Sequence, residues 1–160
     1  MTTRLPLVVV ALFLTASVAS AQGTYTEGVT RDGRRSYSFT TTGPGQVIAS
    51  LSWDNQAADL LMILVCSVVG STTEPLTYGV AGGDLDRTAR LESGVVGRSS
   101  CLLGVSTFDN AASFRLNLQV TSAQSATLAS LVAAPLRDAR TEAKLLAHAD
   151  AVFRNLESQR

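Results

Sequence analysis

Polar and apolar residues alternate along two stretches that flank a Gly-Pro-Gly turn, Arg35 to Thr41 and Gln46 to Trp53. In the first, Tyr37 and Phe39 share one face, and Ser36, Ser38 and Thr40 the other. In the second, Val47, Ala49, Leu51 and Trp53 oppose Gln46, Ser50 and Ser52, with Ile48 the exception on the polar side. A period of two predicts strands with one face buried. Asp59 to Cys66, "DLLMILVC", is apolar on both faces and predicts a central strand covered on both sides. Ser99 to Phe108 reads as another strand. Ser113 to Val120 alternates most cleanly, with Phe114, Leu116, Leu118 and Val120 against Ser113, Arg115, Asn117 and Gln119. The segment between Ser67 and Arg98 holds weaker strands and the loops "GSTTEP" and "VAGGDLDR". Together these predict an all-β fold, an antiparallel β-sandwich of about eight strands.

The periodicity changes after Val120. Residues 122–134 read as a linker. From 135 to 160 the chain has helix formers and no Gly, with Pro135 suited to a first turn. Leu145, Leu146, Ala149, Val152, Phe153 and Leu156 recur at three- and four-residue steps and form one apolar stripe. Two roles fit such a stripe. It can pack back over a face or edge of the sandwich, or it can present those residues to a partner or a second copy.

The N-terminus changes the picture of compartment. Arg4 is followed by an apolar run from Leu5 to Val18 and then by Ala19-Ser20-Ala21, the A-x-A form of a cleavage site. Residues 1–21 are therefore expected to be a cleaved signal peptide, leaving a sandwich domain over 22–121 and no membrane span. Two cysteines, Cys66 and Cys101, then enter an oxidising compartment, where an even count predicts a disulfide. Parity puts each on a core face of its strand. The expected localisation is secreted or periplasmic. Without Arg4, 12 basic residues stand against 13 acidic ones, so charge gives no reason to expect a nucleic-acid partner.

Candidate chemistry is sparse. His148 is the one histidine and lies in the helical tail, and no G-x-S-x-G or H-E-x-x-H stretch is present, so no catalytic residues are assigned. Asp54, Asn55 and Asp59 in "WDNQAAD" gather oxygens that could hold calcium, which takes about six to eight of them. The same residues are turn formers through their own side-chain hydrogen bonds. Asp84 and Asp86 look like half of a metal loop, but with no EF-hand spacing and no following Glu they read as a solvated loop. Trp53 could stack a sugar, but its parity assigns it to the core.

The order of these features resembles the bacterial pre-peptidase C-terminal domain family. The residues that carry the likeness are the aromatic strand Tyr37-Ser-Phe39, the turn Gly43 to Gly45, Leu51-Ser-Trp53, and Asp59-Leu60-Leu61-Met62 where the family has Asp-Leu-Asp-Leu. Leu61 replaces the second acidic residue, and Cys101 stands where members often carry an aromatic. The resemblance spans about Gly28 to Thr121. It implies a small jelly-roll domain of the kind appended to secreted peptidases, here as a free-standing version, with calcium as a ligand in some relatives. The expected function is a non-catalytic binding or accessory module for extracellular or periplasmic protein or polysaccharide, needing no cofactor. The alternatives are an interaction or homo-oligomerisation protein using its helix, a calcium-stabilised module, and, last, a hydrolase.

Overall fold

A computed structural model describes residues 19–82, 87–122 and 139–159. Eight strands and one helix follow in order: β1 Ala19–Val29, β2 Arg34–Thr42, β3 Gly45–Trp53, β4 Leu60–Val68, β5 Leu76–Gly82, β6 Thr88–Val95, β7 Arg98–Thr107, β8 Ala112–Ser122 and α1 Ala139–Glu157. They form two four-stranded antiparallel sheets, a front sheet ordered β1-β8-β3-β6 and a back sheet ordered β2-β7-β4-β5. Almost every consecutive pair of strands thus changes sheet, which is the winding of a jelly roll. The all-β, jelly-roll reading of the sequence holds. The Gly43-Pro44 break, however, does not close a hairpin. It carries the chain from the back sheet to the front one, since β2 and β3 belong to different sheets.

Alternation decides what each strand buries. Val47, Ala49 and Leu51 of β3 face Leu116, Leu118 and Val120 of β8 in one layer of the core. Phe39, Met62, Leu64, Leu103 and Val105 close that core from the back sheet. Trp53 is buried in it and donates its indole N–H to the Ala58 carbonyl at 2.8 Å. β4 is buried along seven consecutive residues because both of its faces are covered. The inner face meets the front sheet. The outer face carries Leu61, Ile63 and Val65, which pack with Leu102 under Leu145, Ala149 and Phe153 of α1.

The helix therefore lies on the back sheet as a third layer. Gly104 of β7 makes room for it, since a Cβ there would sit 3.0 Å from the Phe153 ring. The Arg34 guanidinium lies 5.0 Å from the centre of the same ring and pairs with Asp150. Phe108 meets Phe153 edge-on at 6.4 Å. This corrects the docking role of the stripe: Leu145, Ala149 and Phe153 are consumed by the protein's own sheet, with Val152 and Leu156 packed beside them. Only Leu146, 38 % exposed, remains outward.

Cys66 and Cys101 are disulfide-bonded, as the sequence predicts. They are direct register partners on neighbouring strands β4 and β7, with Cα atoms 4.1 Å apart. The bridge thus staples one sheet within the core and does not tie the two sheets together. β1 begins at Ala19, so the proposed cleavage site falls at the start of a strand, and Gln22 onward still pairs with β8 from Gln119. Residues 1–18, most of the linker and residues 135–138 of the expected helix lie outside the described residues.

Candidate functional site

The loop after β3 and the loop after β7 meet at one end of the sandwich, and the residues singled out for calcium lie there. Asp54 pairs with the start of β8: its amide donates to the Ser113 carbonyl at 3.1 Å, and its carboxylate accepts the Ser113 amide at 2.9 Å. Asn55 folds into a turn, its side-chain oxygen accepting the Ala57 amide at 3.0 Å. Its side-chain N–H donates to the Ala111 carbonyl at 2.7 Å, and Asn110 returns the stitch to the Ala57 carbonyl, also at 2.7 Å. Asp59 is half-buried just before β4 and engaged as well. The stretch works as sheet punctuation, which is the turn-forming role its residue types favour. Among the described residues no three His, Cys, Asp or Glu side chains are gathered to hold a metal. Asp84 and Asp86 lie outside the described residues.

These loops leave two hollows that share Asp54 and Ser113 in their walls. One, of about 630 Å³, is lined by residues including Thr30, Arg35, Asp54, Asn55 and Ser113. The other, of about 260 Å³, includes Thr26, Ser52, Asp54, Ser113 and Arg115. Arg35 is held by Glu27 at 3.2 Å and donates to the Gly28 carbonyl at 2.9 Å. Beside this pair the Tyr25 and Tyr37 rings stack at a tilt, 4.5 Å apart, closing the gap between β1 and β2. Burial, reinforced by the Glu27 charge, pushes both phenols above their ordinary range. Among the described residues the Tyr37 hydroxyl is buried with no hydrogen bond of full geometry, Glu27 being the acceptor beside it. Because an unmade bond of this kind costs about 1–3 kcal/mol, Tyr37→Phe is expected to leave stability unchanged or raise it by about 1 kcal/mol in urea unfolding. A loss above about 1.5 kcal/mol would show that the hydroxyl is bonded.

The second hollow opens onto the outer face of the front sheet. Register sets the polar positions of its four strands in rows. Thr26, Arg115, Ser52 and Thr88 form the row at the hollow; Thr24, Asn117, Ser50 and Arg90 form the next. Rows stand about 6.7 Å apart along the strands and strands about 4.8 Å apart across them. Thr24 donates to the Asn117 side-chain oxygen at 2.9 Å. Beyond lies Glu92, approached by Gln46 and by Arg90 at 3.2 Å. Arg115 is exposed and has no hydrogen bond or ion pair among the described residues. Reading strand by strand found Ser50, Ser52, Arg115 and Asn117 but not Thr24, Thr26, Thr88 or Arg90, nor the assembly, because the sheet order that makes them neighbours is not visible in any one strand.

His148, on the opposite side, meets the Thr77 hydroxyl at 3.2 Å on the helix-covered sheet. No described helix is long and apolar enough to cross a membrane.

No family model and no curated protein matches the chain. Among solved structures it is similar to the Yersinia pseudotuberculosis-derived mitogen (YPM), at 20 % identity and a TM-score of 0.46, over 73 % of this chain and 97 % of that one. At that level of likeness nothing about ligand or activity passes from one protein to the other.

Proposed function

We propose that the protein is a non-catalytic binding or accessory module of the extracellular or periplasmic space, akin to a pre-peptidase C-terminal domain, with a protein or polysaccharide ligand. The observation that supports this most is the asymmetry of the two sheets. The back sheet's outer face is closed by α1, whereas no described residue covers the front sheet's outer face, which reaches the hollows at the loop end. A face bearing mainly hydroxyl, amide and charged side chains on rigid strands suits recognition. The disulfide fits an oxidising compartment, and the leader-like N-terminus supports the same address. His148, the one histidine, lies across the molecule from the hollows, which speaks against a Ser-His-acid centre there. Saturable retention of the full chain on envelope or extracellular material of its native host is the expected result. Hydrolysis of a substrate, abolished by changing residues of this chain, would overturn the reading.

A further inference from the structure

We infer that the bare face of the front sheet takes an acidic polysaccharide, a polyhydroxylated chain bearing carboxylates, with Arg115 as its charged anchor. This inference rests on the binding-module reading and specifies its ligand.

Charge on the face is the first argument. Glu92 is its carboxylate, and both of its oxygens are engaged, one by Gln46 and the other by Arg90 at 3.2 Å. Glu27, at the neighbouring edge, is paired with Arg35. At the end of the face, Arg87 donates to the Asp54 carbonyl at 3.1 Å, and the Asp54 carboxylate is turned to the Ser113 amide. Among the described residues Arg115 has no hydrogen bond or ion pair, and it stands between Thr26 and Ser52 of its row. A planar guanidinium matches a carboxylate with two parallel hydrogen bonds, which an ammonium could not reproduce.

The surroundings of Arg115 select among anions. Hydroxyls of Thr26, Ser52 and Ser50 and the side-chain N–H of Asn117 lie within one or two strand spacings, offering paired donors and acceptors for a chain rich in hydroxyls. A neutral glycan would call for an exposed aromatic platform, and the tryptophan beside this face is buried at 6 % exposure. A nucleic acid would need many basic contacts to neutralise successive phosphates, whereas among the described residues only Arg87 and Arg115 lack a carboxylate partner here, and the Asp54 carboxylate beside them leaves a net of one positive charge. One charge among many hydroxyls fits a carboxylate repeated at intervals along a sugar chain.

The test is native gel electrophoresis of the full chain through gels containing polygalacturonate or, separately, neutral hydroxyethylcellulose. Polygalacturonate should retard the protein, and added salt should weaken the effect, since exposed charges are screened. Arg115→Glu should bind at least about tenfold more weakly, the loss of one charge-assisted contact. Its melting temperature should match the parent's, because Arg115 supports nothing else. Leu146→Glu, on the opposite side of the molecule, should be retarded like the parent. No retardation by polygalacturonate, or equal retardation of Arg115→Glu, overturns the inference. Retardation by hydroxyethylcellulose alone also overturns it while leaving the binding-module reading intact. Failure of that broader reading shows separately, as a chain that host envelope material does not retain.

Discussion

Phe153→Ala lowers the unfolding free energy by about 3–5 kcal/mol and frees α1 from the back sheet. The ring is 1 % exposed, fits over Gly104, and is gripped by Phe108 edge-on and by Arg34 from above. Truncating it removes the centre of the second core and leaves a cavity above Gly104, which contributes only backbone beneath it. Urea unfolding followed by far-ultraviolet circular dichroism measures the loss, and limited proteolysis within residues 139–159 reports undocking. A loss below about 1 kcal/mol, with α1 still protected, would mean that the helix is not seated by this ring.

Replacing Cys66 and Cys101 together by Ala has an effect of similar size for a different reason. The bridge closes a loop with a sequence separation of 35, which in the chain-entropy account is worth about 4 kcal/mol through the unfolded state. The two residues already face each other across β4 and β7 at 4.1 Å, so the folded sheet loses little when the bond is absent. The variant is expected to keep the parent's circular dichroism spectrum at low urea and to unfold at a markedly lower midpoint. Coincident midpoints would mean that the bridge does not restrict the unfolded chain. Thiol titration of the denatured parent should find no free cysteine.

Much of the fold was legible because burial writes a period into the chain. β8 alternates without exception from Ala112 to Val120, and its partners in the front sheet fall into register with it. The unbroken apolar run of β4 announced two covered faces, but not that one cover would be a helix from the far end of the sequence. The stripe on α1 showed an apolar face without naming its occupant. Gly104 and Ile63, which receive Phe153, lie on strands whose apolar runs say nothing about which element covers them. The turn residues Asp54 and Asn55 were ambiguous for the opposite reason. The oxygens that could bind a cation are the same atoms that cap backbone amides, and only the position of Ser113 and Ala57 decides between them. The polar face escaped strand-by-strand reading because Thr26, Arg115 and Ser52 come from three distant segments. Their contact is a property of jelly-roll order, in which β8 lies between β1 and β3.

The central claim is that the molecule binds through the bare front sheet and not through its helix. Its most direct test is retention on total envelope and extracellular material of the native host, measured side by side for the parent, Arg115→Glu and Leu146→Glu. Both substitutions change exposed residues, one on each side of the sandwich, and neither should alter the melting temperature. The account predicts saturable retention of the parent, retention of Leu146→Glu at the same level, and a loss of about tenfold or more for Arg115→Glu. Retention that survives Arg115→Glu but fails with Leu146→Glu would contradict it and return the binding surface to the helix.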